Sequence, residues 1–206
     1  MHSFDTLILG IGNILWADEG FGVRAVETLN QQYEFPDNVC LMDGGTQGLY
    51  LLQYVQMARN VLILDAVDYG QPAGTLAVAY NEQVPNFMGA KKMSLHQTGF
   101  QEVLAAAKLT GKFPEAVVLI GIQPETLEDF GGSLTDLVKA QIPVTLERAL
   151  QELAKWGIVP TPRQHTADAL SPESLELSQY EEQRPSEEAA CRVGDARVFG
   201  YKLTRE

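Results

Sequence analysis

Short apolar runs rich in β-branched residues alternate along the chain with stretches of helical period, and this alternation restricts the fold more than any other feature. Thr6 to Ile11 is followed by Val23, Val26 and Leu29 at three-residue spacing, and Val39 to Met42 by Leu49, Leu52 and Val55. The order is β-α-β-α, the grammar of a layered α/β sheet. Val61 to Leu64 and Val117 to Ile122 are almost wholly apolar, as strands covered on both faces must be. Thr75 to Tyr80 follows Val61 to Leu64 through a link too short for a parallel crossover, so it is expected to run antiparallel and to make the sheet mixed.

Ser94-Leu95-His96-Gln97 fits a capping box, and Phe100, Val103, Leu104 and Ala107 continue it as an amphipathic helix, which puts His96 in a first helical turn. A last helical pattern runs from Ser133 through Leu137, Leu146, Leu150 and Leu153, and Pro143 is expected to kink or divide it.

A chain of 206 residues suffices for one substantial core, and residues 1–160 are expected to form it. From 161 to 206 the composition turns to Pro, Ser, Glu and Gln, which bury too little apolar surface to offset ordering entropy. A polar, acidic tail, mobile or peripheral, is expected there, with a short strand at Arg197 to Leu203. No stretch is apolar enough to span a membrane, and Met1-His2-Ser3-Phe4-Asp5 lacks the basic start of a secretory signal, so a cytoplasmic protein is expected. The net charge of -12 repels nucleic acid and anionic lipid and suits a neutral or basic protein partner. Cys40 and Cys191 form neither a C-x-x-C pair nor a disulfide framework, and Cys40 reads as a small core residue.

The stretch Leu7 to Arg24, "LILGIGNILWADEGFGVR", opens like a strand and phosphate loop. The third glycine of a dinucleotide fingerprint is replaced by Leu15, however, and Asp18 and Glu19 would repel pyrophosphate. The acids make more sense by position. Glu19 follows the first strand, Asp43 ends the second before Gly44-Gly45, Asp65 ends the third, and His96 opens a helix. Ligands of open α/β sheets gather outside the carboxyl ends of the strands, so several of these side chains should share one crevice. Two carboxylates and an imidazole suit a first-row divalent ion and leave positions open for a substrate group.

Each residue also has a plainer reading. Asp43 can be a turn acid, Asp18 a cap for a helix beginning near Gly20, and His96 an exposed helix-start residue. Asp68 competes with Asp65 but fits the turn Asp68-Tyr69-Gly70 better. Neither G-x-S-x-G, H-E-x-x-H nor C-x-x-C occurs, His2 and His165 fall in a terminus and in the tail, and the apolar setting of Cys40 argues against a thiolate paired with His96.

With "GIGNILWADEGFGVR", "DGGTQGLYLL", "LILDAVDYG", "KKMSLHQTGFQEVL" and "IGIQPETLEDFGGSLT" in order over about residues 5 to 160, the chain resembles the [NiFe]-hydrogenase maturation proteases. These endopeptidases trim the C-terminus of the hydrogenase large subunit, and the wording is most similar to those serving membrane-bound uptake hydrogenases. The resemblance implies a three-layer α/β/α domain with a twisted mixed, mostly parallel sheet. It implies a nickel-binding trio of Glu19, Asp65 and His96, reading nickel that the substrate carries. Asp43 and the glycines after it match a family motif, which makes Asp43 a further catalytic candidate. The implied partner is the large-subunit precursor, met by a monomer without nucleic acid or membrane insertion. A non-catalytic nickel-binding chaperone on the same scaffold is the alternative, and a nucleoside-handling α/β enzyme a third; a cleavage assay separates them.

Overall fold

The computed structural model describes residues 4–88, 95–127, 129–172 and 175–184. Along the chain run β1 (Thr6–Ile11), α1 (Phe21–Gln32), β2 (Tyr33–Glu34), β3 (Val39–Gly45), α2 (Leu52–Met57), β4 (Asn60–Ala66) and β5 (Leu76–Tyr80). Next come α3 (Gln83–Met88), α4 (Leu95–Leu109), β6 (Ala116–Ile122), α5 (Asp136–Lys139), α6 (Ile142–Lys155), β7 (Thr161–Pro162) and α7 (Leu177–Gln183). Single 3-10 turns at Ala17–Gly20 and Gly48–Leu51 lead into α1 and α2.

The main sheet has five strands in the order β3-β1-β4-β6-β5. All neighbours are parallel except β5, which runs antiparallel to β6. The expected direction of β5 is therefore observed, but its partner is not the strand that precedes it. β6 lies between them because it is buried along nearly its whole length, whereas β5 is half exposed and suits an edge.

Alternation hidden inside the apolar runs builds the three layers. Leu7, Leu9, Ile11, Val61, Ile63, Val117 and Leu119 face α2 and α4, meeting Val55, Phe100, Val103 and Leu104. Ile8, Leu62, Leu64, Val118 and Ile120 face the other way, toward Phe21, Val26 and Leu29 of α1 and Leu146, Ala149 and Leu153 of α6. Each such fully buried side chain contributes roughly 1.5–3 kcal/mol. Pro143 does divide the last helical pattern: it sits in the first turn of α6, where a missing N–H costs nothing, and the Thr135 hydroxyl caps α5.

Residues beyond 160 lie against the domain as far as the structure describes them. β7 pairs antiparallel with β2, the Arg163 side chain donates to the Asn30 carbonyl (2.9 Å), and Asn30 Nδ2 donates to the Asp168 carbonyl (2.9 Å). Lys139 and Glu181 close the seam at 2.7 Å. This strap follows the exposed side of α1. Ser94 of the capping box, Cys191 and the strand expected at Arg197 to Leu203 lie outside the described residues. Among the described residues no helix is long and apolar enough to cross a membrane.

Helix α1 meets the sheet through a backbone contact at Gly22, where a Cβ would stand 2.1 Å from the Leu64 carbonyl oxygen and 2.3 Å from that of Ile11. Neither oxygen can yield without breaking the sheet. Gly22→Ala should therefore cost roughly 1–3 kcal/mol or more, lowering Tm by about 2–4 °C per kcal/mol. Gly111→Ala, with nothing within 4 Å of its Cβ, meets only the strain of its φ of 69° and should be milder in the same thermal melt.

Candidate functional site

The site is assembled where β1, β3 and β4 end. After β1 the chain turns at Gly12, whose φ is 142° and whose Cβ would stand 1.9 Å from the Glu19 carbonyl oxygen. Only glycine lets the loop fold back so far, and Asn13 N–H then donates to that same carbonyl at 3.1 Å. The glycine turn thus returns Glu19, half-buried, to the end of β1. The place of the missing third fingerprint glycine is taken by Gly22, within α1 itself, so close helix–strand packing is kept without a phosphate loop.

Asp65 is fully buried on β4, in register with Gly121 of β6. It shares the parity of Val61 and Ile63, which directs it to the α4 side of the sheet. Helix α4 begins on that side. Its Gly99 packs against Gly48, just beyond β3, closely enough that a Cβ would stand 3.3 Å from Gly48 Cα. His96 lies one turn earlier, in the first turn of α4. Its side chain is outside the described set, within which no three His, Cys, Asp or Glu side chains group as metal ligands.

Asp43 has the other parity. Val39 and Leu41 face the α1 side, and Asp43 follows them there, level with Gly10 just before the register shift of β3 against β1. Its Oδ2 accepts a hydrogen bond from the Ser171 hydroxyl at 2.8 Å, while Oδ1 is buried without a hydrogen-bond partner among the described residues. The neighbouring turn is closed by Gln47 N–H on the Gly44 carbonyl, so the Asp43 carboxylate is not needed as a turn acid. Nearby on α1, burial pushes the Glu27 carboxyl up, against the opposing pull of Arg24.

Asp18 does not cap α1, whose N-cap Gly20 has no side-chain bond. It is fully buried and pins the loop after β6: Oδ2 accepts from Glu125 N–H (2.9 Å) and Thr126 N–H (3.0 Å), and Oδ1 from Thr135 N–H (2.8 Å). Sequence reasoning missed this because the partners are backbone amides 107 to 117 positions away. Asp68 accepts from Gly70 N–H (3.2 Å) and Gln123 Nε2 (3.0 Å), as its turn reading requires. Cys40 is half-buried against the core, and burial pushes its thiol up, away from thiolate chemistry.

The loops around the strand ends carry an apolar rim. Trp16 and Phe130 meet edge to face at 5.2 Å, Gly131 N–H donates to the Leu15 carbonyl at 2.7 Å, and Leu15, Leu49, Tyr50 and Phe130 are exposed. Exposed apolar side chains in the loops at one end of the sheet suit contact with another protein.

Residues 23–152 match the family model described as hydrogenase maturation protease. The chain is 58% identical over 198 residues to the hydrogenase expression/formation protein HoxM of Cupriavidus necator, covering 95% of this chain and 98% of that one. It is 42% identical over 163 residues to the hydrogenase 2 maturation protease of Escherichia coli, covering 79% and 98%. The solved structure of the hydrogenase maturating endopeptidase HybD from E. coli superposes with a TM-score of 0.73 at 41% identity, over 78% of this chain and 98% of the other.

Asp18→Ala should leave three backbone amides without their acceptor, at about 1–3 kcal/mol for each that water cannot reach. A thermal melt checks this, and an unchanged Tm would show that the loop after β6 is held by other contacts.

Proposed function

The chain belongs to the hydrogenase maturation protease family, and from that premise we propose that it removes the C-terminal extension of a [NiFe]-hydrogenase large-subunit precursor once nickel has been inserted. It acts as a cytoplasmic monomer, and the nickel is cargo of the substrate. The observation that carries this reading is the turn at Gly12, which folds Glu19 back onto the end of β1 beside β4, the strand that carries Asp65 near its end. In this reading Glu19, Asp65 and His96 supply two carboxylate oxygens and an imidazole nitrogen to the nickel of the precursor. That donor set suits a borderline divalent ion and is too small to complete its shell, so the remaining ligands come from the precursor.

Nickel, as a Lewis acid, polarises an oxygen bound to it. The chain's own residues do the rest. The trio fixes where the precursor sits, and so which peptide bond lies at the strand ends. Asp43, held through Oδ2 by Ser171, takes the proton of the attacking water, which the leaving amine receives when the C–N bond breaks. The exposed rim at Leu15, Leu49, Tyr50 and Phe130 receives the folded part of the precursor.

Glu19→Gln, Asp65→Asn and His96→Ala should each lower processing of nickel-loaded precursor by at least about tenfold, the near-isosteric amides keeping shape while removing charge. Asp68→Asn should be much milder. Precursor mass and thermal melts on the same preparations decide it: full processing by a stably folded His96→Ala variant would sink the nickel-reading mechanism. Binding of the precursor without any change in its mass would instead support a chaperone.

The same reading makes nickel-free precursor a poor substrate, since the trio would have nothing to hold. Removing nickel from the precursor with a chelator before mixing should abolish the mass change, and prompt cleavage of the nickel-free form would mark an ordinary hydrolase.

A further inference from the structure

Residues 163–172 and 175–184 lie against α1 and border the mouth of the candidate site. Ser171 Oγ donates to Asp43 Oδ2 at 2.8 Å. Four positions later, Leu175 lines a groove of about 230 Å³ together with Gly12, Asn13, Ile14, Leu15 and Asp43. Anchors flank Leu175 closely. Arg24 of α1 is 3% exposed, pairs with Glu27 at 3.0 Å, and donates to the Leu175 carbonyl. Its guanidinium also lies 5.5 Å from the centre of the Tyr180 ring. Beyond it, Glu181 is held by Lys139 at 2.7 Å and by the Ser133 hydroxyl at 2.8 Å. Charge-assisted bonds on a buried arginine fix position better than loose apolar contact does.

The groove is smaller than the roughly 300–1,000 Å³ of sites for cofactor-sized ligands, and its scale is that of side chains on an extended peptide. It opens beside the turn that delivers Glu19, and Asp43 forms part of its wall. The relatives divide at this segment. The Cupriavidus protein is matched over almost the whole of this chain, strap included, whereas 163 residues account for 98% of the E. coli hydrogenase 2 protease, too few for domain and strap together.

We propose that Ser171 and Leu175 are specificity determinants: Leu175 completes by direct contact the groove that receives the precursor segment beside the scissile bond, and Ser171 is a positioning residue for Asp43. The inference rests on the reading of the chain as a precursor-processing protease.

The test uses full-length chain carrying Leu175→Asp, Ser171→Ala or Ser171→Thr, with nickel-loaded large-subunit precursor as the probe. Affinity is read from binding to immobilised precursor, turnover from precursor mass, and folding from thermal melts. Leu175→Asp should raise Kd and KM by about tenfold with kcat within about twofold, the pattern of lost binding rather than lost chemistry. Ser171→Ala should lower kcat by about three- to tenfold, and Ser171→Thr, which keeps the hydroxyl, should restore it. If Leu175→Asp melts early, Leu175→Ala carries the same readouts at smaller amplitude. A folded Leu175 variant that binds like wild type overturns the groove assignment, and a folded Ser171→Ala variant with normal kcat overturns the positioning role. Wild-type chain that binds precursor without cutting it would defeat the protease reading alone, since the Leu175 effect on Kd would still be measurable. Wild-type chain that neither binds nor cuts would overturn both.

Discussion

The structure depends on a backbone interlock at the start of α1. A Cβ on Gly10 would stand 2.4 Å from the Gly22 carbonyl oxygen, and a Cβ on Gly22 would strike the carbonyls of Leu64 and Ile11. The helix therefore meets the ends of β1 and β4 backbone to backbone at Gly22, with the Val26 side chain packed against Gly10. Everything that forms the crevice is referred to this contact: the Gly12 turn that must reach α1 within a few residues, the return of Glu19, and the buried Asp18 that ties the loop after β6 to the same turn. A larger residue at either glycine would lift α1 and move those groups together.

Much of this was legible in the sequence, for identifiable reasons. Strands buried on both faces leave continuous apolar runs, and Val61 to Leu64 and Val117 to Ile122 could be read as central. The short link before Leu76 gave the direction of β5, but not its partner, because adjacency in a sheet is decided by which strand best fills the interior. The role of Asp18 was hidden for a different reason: its partners are main-chain amides, which leave no mark on residue identity. The strap was hidden by composition. Its attachments among the described residues include one ion pair, hydrogen bonds to carbonyls and a two-residue strand pairing, so a segment poor in apolar residues reads as solvated although Arg24 and Asn30 hold it down.

Parity along the strands divides the candidate acids more sharply than position along the chain does. Asp65 follows Val61 and Ile63 toward α4, whereas Asp43 follows Val39 and Leu41 toward α1 and the strap. Both lie near the carboxyl ends of strands adjacent to β1, yet they face different layers. In the proposed function this separates the group that holds the metal from the group that handles the proton, and lets each be tuned by its own helix layer.

The strap's attachments also bear on the order in which the molecule is completed. Ser171 reaches back 128 positions to Asp43, and Leu175 reaches back 151 to Arg24, whereas the sheet is built mainly from neighbouring β-α-β units. Contacts of such sequence separation form late, after the surfaces they join exist. During synthesis the domain can assemble before the strap has left the ribosome, and the strap then docks as a thin layer with few apolar contacts. Such a layer opens at lower free energy than the sheet beneath it. Among the described elements, the wall of the groove is thus late to form and early to let go, while the strand ends it borders stay fixed.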